Sequence, residues 1–355
     1  MSSDFAERPG AVGDPPQHYG NPLREQRALA AGEAIVDLSD RAVISVTGPD
    51  RLSWLDSLTS QSLKGMRAGE SAETLLLDPA GRLEHALRVI DDGETTWLLV
   101  DGAEGEPLAA WLTRMVFMLR VEVAVSSLRT VGTFGSPQLP AAAPNGVPLV
   151  WQDPWASVTP GGHQYARVAE HPASAWSYRE VLVEPDADLS SFPAAGSLAL
   201  EALRIAAWRP RLATEADDKS IPHELDWLRS AVHLSKGCYR GQETIAKVHN
   251  LGHPPRRLVM LHLDGSEGVL PVADDEVLLG DSVVGRVTSS ALHHELGPIA
   301  LAIVKRSTDT DAALTVRTDD VLIAAAQEVI VPPGAGAEAN VPRLPRLGAV
   351  TRPTA

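Results

Sequence analysis

The sequence contains a single cysteine, and that count rules out several ways of holding together a chain of 355 residues. One thiol cannot form an internal disulfide, and alone it cannot supply the thiolates of a cysteine-based zinc or iron–sulfur site. The fold must therefore rest on apolar burial, and the 44% of hydrophobic residues is typical of a globular protein. Because this length exceeds what one core usually holds, we expect two or three domains.

The cysteine lies within the run KGCYRGQE at 236–243. Glycine on each side of Cys238 permits positive φ angles or a close approach to a ligand, so the run predicts a tight, exposed loop. Lys236 and Arg240 put positive charge near the sulfur, which favours the nucleophilic thiolate. A buried structural cysteine is the alternative, but such cysteines seldom have Lys-Gly and Arg-Gly neighbours. We therefore interpret Cys238, with Lys236 and Arg240, as a catalytic group.

This run is similar to the K-G-C-Y-x-G-Q-E motif of the YgfZ family, folate-binding proteins related to the T-protein (aminomethyltransferase) of the glycine cleavage system. A weaker resemblance covers about residues 30 to 330. It implies an α+β, T-protein-like fold, with mixed α/β segments around a central folate cavity and a C-terminal β-barrel. It also implies tetrahydrofolate as cofactor and a role in assembly or repair of iron–sulfur clusters. Tyr239 and Gln242 are then expected folate contacts, with a hydrogen bond inside the loop as the alternative for Gln242.

A second candidate for folate binding is Glu224, in Pro222-His223-Glu224 just upstream of the cysteine. A carboxylate can accept two hydrogen bonds from an aminopyrimidinone edge such as that of a pterin. A Pro-x-Glu glutamate has this role in the T-protein, and the resemblance assigns it to Glu224. The alternative is a surface glutamate at a turn.

One departure from the T-protein pattern concerns the strand that follows Gly81. The T-protein carries two successive aspartates there, and the matching residues in this chain are His85 and Ala86. Glu84 is one place early, which on a regular strand directs it to the opposite face. The carboxylate of a classical aminomethyltransferase is thus predicted to be absent. A folate-dependent aminomethyl or methyl transferase and a non-catalytic adaptor remain the alternatives to the YgfZ-type function.

Proline and glycine content, the strand and helix patterns and the family resemblance together divide the chain into five segments. We predict a disordered leader at 1–25, an N-terminal α+β folate-binding domain at 26–130, a middle α+β segment at 131–254, a C-terminal β-barrel at 255–331 and a disordered tail at 332–355. The barrel prediction rests on short apolar runs separated by glycines.

Local patterns give three more specific predictions. The segments 34–38 and 42–46 are expected to be successive strands joined by a turn, and Asp50 is expected to cap the following helix. The segment 244–248 is predicted to have strand character.

Charge and hydropathy limit the expected partners. The net charge of −15 counts against binding to DNA, because phosphate neutralisation needs clustered Lys and Arg. No apolar run reaches the roughly 18 residues of a membrane span, and the N-terminus lacks a signal-peptide pattern. We expect a cytoplasmic monomer whose partners are folate and iron–sulfur client enzymes or cluster assembly proteins. His249 and His253 lack a third ligand at suitable spacing, so no metal site is predicted.

Overall fold

The computed structural model describes residues 4–266 and 268–339, which form two five-stranded sheets, a closed six-stranded barrel and a small N-terminal hairpin. The strands are β1 (Val12–Gly13), β2 (Pro16–His18), β3 (Ile35–Asp37), β4 (Arg41–Thr47), β5 (Ser71–Leu77), β6 (Leu83–Asp91), β7 (Thr95–Asp101), β8 (Glu122–Ser126), β9 (Arg129–Phe134), β10 (Val150–Gln152), β11 (Tyr178–Val183), β12 (Ala194–Ala195), β13 (Arg256–Leu263), β14 (Glu276–Leu279), β15 (Ser282–His293), β16 (Gly297–Lys305), β17 (Leu314–Thr318) and β18 (Val321–Val329). The α-helices are α1 (Pro22–Ala30), α2 (Arg51–Leu58), α3 (Gly102–Met115), α4 (Ser197–Ala206), α5 (Leu212–Glu215), α6 (Leu228–Ala231) and α7 (Gln242–Leu251). The predicted α+β architecture with a C-terminal barrel is confirmed.

The first sheet has the strand order β5-β6-β7-β4-β8 and is antiparallel throughout. Its inner residues, such as Ile44 and Leu98, form one core with Trp54 of α2 and Leu108 of α3. Asp50 precedes α2 as predicted, but its carboxylate makes no capping bond there and instead accepts hydrogen bonds from Arg120.

The second sheet has the order β10-β11-β9-β3-β12 and contains one parallel pair, β3 with β12. The segments predicted as successive strands, 34–38 and 42–46, are both strands but lie in different sheets. All three residues of β3 are buried, and β3 pairs with β9 rather than with β4. Neighbouring positions in the sequence therefore do not predict neighbouring positions in a sheet here, because β3 belongs to the sheet built mainly from the middle segment.

The barrel closes in the order β13-β16-β15-β14-β17-β18, with β18 paired to β13. Its strands run from Arg256 to Val329, inside the predicted segment 255–331. Alternate residues such as Val259, Leu261 and Val316 fill its interior. No helix in the described ranges is long and apolar enough to span a bilayer.

The prediction of a disordered leader is wrong for residues 4–25. Phe5 is fully buried, β1 and β2 form a hairpin, and α1 begins at Pro22 with the Asn21 side chain accepting a hydrogen bond from the Arg24 backbone. The prolines and glycines of this segment form turns in an ordered structure. The buried Phe5 side chain anchors the segment to the rest of the protein. Residues 1–3 lie outside the described part.

The predicted disorder of the tail is wrong for residues 332–339, while 340–355 lie outside the described residues. The backbone N–H groups of Ala337, Glu338 and Ala339 donate to the carbonyls of Val248, His249 and Asn250. These are the last carbonyls of α7, which lack partners within the helix. The tail thus caps α7, and the strand character predicted for 244–248 is wrong, because this segment is helical.

Candidate functional site

A central cavity of about 310 Å³ lies between the two sheets and helix α4. Its wall includes the N-terminal segment around Asp14, strands β3, β6 and β11, helix α4, and the segment from Arg209 to Leu212. Strands and helices from distant parts of the chain therefore supply side chains to one enclosure. This volume is at the lower end of the range usual for small-molecule sites.

Glu180 of β11 is a buried carboxylate of the cavity wall with three side-chain partners. It is fully buried, and its Oε1 atom accepts hydrogen bonds from Arg41 and, at 3.1 Å, from the Tyr178 hydroxyl, with Arg88 Nε 3.2 Å away. Burial opposes its ionisation, but Arg41 and Arg88 outweigh burial and hold the pKa of Glu180 below its usual value. The second oxygen, Oε2, is buried without a hydrogen-bond partner among the described residues.

Hydrogen-bond donors without partners lie in the same wall. Arg209 binds Glu73 at 2.6 Å and Asp153 at 3.0 Å, but its Nη1 atom has no partner in the described ranges. The indole Nε1 of Trp227 and the Nε of Arg211 are likewise buried and unpaired there. Buried polar groups are normally hydrogen-bonded. Together with the acceptor Glu180 Oε2, these donors therefore suit a polar ligand that has both hydrogen-bond donors and acceptors.

Cys238 lies in an exposed loop, as predicted. The two flanking glycines differ in their surroundings. Gly241 has φ +84°, and a Cβ on it would come within 2.7 Å of the Asp78 carbonyl oxygen and 3.0 Å of Gly81. Gly237 faces open space and does not have a positive φ. Only Gly241 is required by the backbone, because it packs the loop against the turn between β5 and β6.

Lys236 is buried at the base of this loop. Its ammonium group donates to the carbonyls of Asp56, Thr59 and Gln61 at 2.5 to 2.8 Å, where α2 ends. Burial lowers the pKa of Lys236, although Asp56 opposes that shift. Its side chain is only 3% exposed, so Lys236 anchors the loop to the C-terminus of α2.

Arg240 is bound to Glu84 by two hydrogen bonds of 2.5 and 3.2 Å and lies over the ring of Trp111 on α3. No hydrogen bond joins Cys238 to Lys236 or Arg240 in the part of the chain that the structure describes. Both cations are close to the thiol in the sequence, but the sequence did not reveal that Lys236 binds backbone carbonyls and that Arg240 binds Glu84. Their observed contacts position the loop.

The two predicted folate contacts within the loop do not line the cavity. Tyr239 is buried in the main core, where burial raises its pKa, and Lys236 Nζ lies 5.3 Å from its ring centroid. The Gln242 side chain donates to the Lys236 carbonyl at 3.4 Å. Gln242 therefore closes the loop on itself, one of the two roles expected for it.

Glu224 is also absent from the cavity wall. It lies in the short 3₁₀ helix Pro222–Leu225, fully buried, and both of its oxygens accept from Arg256 of β13, at 2.9 and 3.1 Å. Burial raises its pKa, with Arg256 opposing. The Pro-x-Glu resemblance thus selected a carboxylate that ties the middle segment to the barrel. Unlike Glu224, Glu180 does line the cavity. Sequence reasoning missed it, and only its place on a strand rich in buried residues could have indicated it.

Strand β6 connects the cysteine loop with the cavity. Ala86 lines the cavity, whereas Glu84, two residues or about 7 Å earlier, holds Arg240. Glu84 is the extra residue of a β-bulge, because Leu76 pairs with His85 and Leu77 with Leu83. A bulge redirects a side chain, and here it directs Glu84 to the loop. Glu84 is not part of the cavity wall, and the β6 residues that are part of it, Ala86 and Arg88, carry no carboxylate.

The two histidines considered for a metal are packed against other residues rather than solvated. His249 Nδ1 lies 3.0 Å from the Tyr165 hydroxyl, and His253 Nδ1 lies 2.7 Å from the Ala335 carbonyl oxygen. Within residues 4–266 and 268–339, no group of three or more His, Cys, Asp or Glu side chains has a metal-binding arrangement.

Comparison with known proteins gives consistent relationships. Residues 256–333 match the glycine cleavage T-protein C-terminal barrel domain. The chain is 26% identical to an aminomethyltransferase of Nostoc sp. over 314 residues, covering 81% of each protein, and 28% identical to one of Rippkaea orientalis, covering 82% of this chain and 84% of the relative. The chain is a distant relative of the aminomethyltransferases.

Two further matches bear on this relationship. The crystal structure of glycine cleavage system aminomethyltransferase T from Bartonella henselae superimposes with a TM-score of 0.72, covering 93% of this chain and 96% of that one at 16% identity. That match confirms the predicted T-protein-like fold. The chain is also 25% identical to the iron-sulfur cluster assembly factor IBA57 homolog of Coccidioides immitis, covering 79% of this chain and 73% of that protein.

Proposed function

We propose that this protein binds tetrahydrofolate and acts, in the manner of the YgfZ family, in assembly or repair of iron–sulfur clusters in client enzymes. The observation that carries the proposal is the set of unpaired buried atoms in the wall of the central cavity. Glu180 Oε2 is an acceptor, while Arg209 Nη1, Arg211 Nε and Trp227 Nε1 are donors.

This set fits the pterin part of folate. The amino and ring N–H groups of a pterin are donors suited to a carboxylate, and its carbonyl oxygen and ring nitrogens accept from Arg or Trp. We assign the carboxylate role to Glu180 in place of Glu224. When bound, tetrahydrofolate supplies nitrogens that carry one-carbon groups. The residues of this chain bind and orient it and exclude water.

Cys238 is proposed as the group that meets the client, either as a nucleophile or as a transient sulfur ligand to iron. Its exposure supports either role, since a thiolate must be accessible to attack or to bind metal. Lys236 and Arg240 are proposed as positioning residues, because their cationic groups are bound to backbone carbonyls and to Glu84.

Transfer of an aminomethyl group is the second candidate function, and the similarity to aminomethyltransferases over most of the chain favours it. The β6 residues in the cavity wall, Ala86 and Arg88, oppose it, because neither is a carboxylate. We predict no glycine-dependent aminomethyl transfer with a lipoyl carrier protein in a reconstituted assay. Turnover above the background without this protein would instead assign the transferase function.

Calorimetry with tetrahydrofolate tests the proposal directly. We expect one folate per chain and a rise in Tm, because a ligand that binds only the folded state stabilises it by RT ln(1 + [L]/Kd), about 2.7 kcal/mol at a hundredfold excess over Kd. Absence of both heat and thermal shift at millimolar folate would eliminate the folate proposal and favour an adaptor.

A further inference from the structure

Four exposed apolar residues follow one another closely at the end of α3. Met115, Phe117, Met118 and Leu119 are 42%, 78%, 90% and 40% exposed. Met118 has φ 54°, an uncommon conformation for a residue with a side chain. We call these four residues the apolar tip. Contiguous apolar surface of this kind is typical of an interaction site.

The apolar tip adjoins the cysteine loop. Trp111 lies one helical turn before Met115 and therefore on the same face of α3. The guanidinium carbon of Arg240 is 5.7 Å from the centroid of the Trp111 ring, and Cys238 precedes Arg240 by two residues. This series of contacts places the exposed thiol and the apolar tip on one side of the protein.

We propose that the apolar tip is the docking surface for the client protein, whose acidic surface surrounds an apolar pocket that receives Phe117 and Met118. The inference rests on the proposed function and names the surface by which the client is bound. Two of the five methionines in the sequence lie in the tip. Methionine is flexible and is used at surfaces that bind several partners, which suits a protein that serves different clients.

Charge supports an acidic protein as the partner. Arg114 is exposed and makes no hydrogen bond or ion pair among the described residues, and the side chain of Arg120, at the other end of the tip, is 75% exposed although paired with Asp50. Exposed arginines beside an apolar surface complement acidic residues around an apolar pocket.

The test compares two full-length variants. One carries Phe117→Ser with Met118→Ser, and the control carries Leu322→Ser, which replaces a 62% exposed leucine on β18 of the barrel. The probe is a purified iron–sulfur enzyme whose activity is lost from cells lacking this protein. We expect the tip variant to bind at least tenfold more weakly than wild type, as for a hot-spot pair, and the control to bind normally. Equal binding by the tip variant and wild type, or equal loss in the control, would overturn the proposal.

Two further measurements complete the test. Vesicles of anionic phospholipid that bind wild type but not the tip variant, with client affinity unchanged, would assign the tip to a membrane instead. In cells, failure of Cys238→Ser to support the client while the tip variant supports it fully would remove the docking surface but leave the proposed function standing. If no iron–sulfur enzyme depends on this protein, both proposals fail.

Discussion

Glu180 and Glu224 are both fully buried carboxylates paired with arginine, but only Glu180 lines the central cavity. The sequence analysis predicted that a glutamate would anchor the pterin, and it assigned this role to Glu224 because Pro222-His223-Glu224 matches the Pro-x-Glu motif. The choice between the two depends on which strand borders the cavity, and that is a property of the assembled sheets. Cys238, in contrast, could be placed in an exposed loop from the sequence, since the character of its glycine-flanked loop is local.

Glu180→Gln is expected to weaken tetrahydrofolate binding at least tenfold, about 1.4 kcal/mol, because a neutral amide replaces a charge-assisted acceptor. It also leaves Arg41 and Arg88 without their carboxylate, so Tm should fall. Calorimetry is therefore done at a temperature at which the variant is folded. Glu224→Gln is the matched control, with lower stability but wild-type folate affinity. The reverse pattern would return the anchoring role to Glu224.

At the scale of elements, the cysteine loop depends on its contacts with the β5–β6 turn and the end of α2. The strand at 42–46, the helix after Asp50 and the presence of a C-terminal barrel followed from the sequence pattern, because these hydrophobic patterns are local. The sequence did not predict the pairing of β3, the helical conformation of 244–251 or the ordered structure of residues 4–25. Each of these features depends on contacts with residues distant in the sequence. Strand β3 pairs with β9, residues 337–339 cap α7, and the buried Phe5 anchors the N-terminal segment.

The two glycines of the loop provide a matched pair of substitutions. Gly241→Ala should destabilise the protein by about 1 to 3 kcal/mol, because φ is +84° and the added Cβ would meet the Asp78 carbonyl oxygen. Gly237→Ala should change stability by less than about 0.5 kcal/mol, because that site is open. Urea unfolding measures both. A difference of less than about 0.5 kcal/mol between the variants would show that the loop does not need this packing.

At the scale of the whole molecule, buried titratable groups make stability depend on pH in opposite directions. Burial raises the pKa of Asp226 to about 7 and lowers that of His223 to about 3. Folded Asp226 binds a proton between pH 4 and 7 that the unfolded chain releases, so its contribution to stability is lost as pH rises. Folded His223 stays neutral where the unfolded chain is protonated, so its contribution is lost as pH falls below about 6.5.

Asp226→Asn should therefore gain stability relative to wild type by about 1.4 kcal/mol per pH unit as pH rises from about 4 to 7. His223→Gln should show the opposite trend, gaining relative to wild type as pH falls from about 6.5. Urea unfolding at half-unit pH intervals gives both differences. Parallel stability curves for wild type and either variant would mean that the substituted residue titrates alike in the folded and unfolded chains.

The most direct test of the central claim is the activity of a dependent iron–sulfur enzyme in cells whose only copy of this protein carries Cys238→Ser. Because Cys238 is exposed, the substitution should change stability by less than about 0.5 kcal/mol, and Tm and folate binding should stay close to wild type. We predict that the client activity falls to the level of cells lacking the protein. Full client activity with Cys238→Ser would contradict the account and leave the protein as a folate-binding adaptor without thiol chemistry.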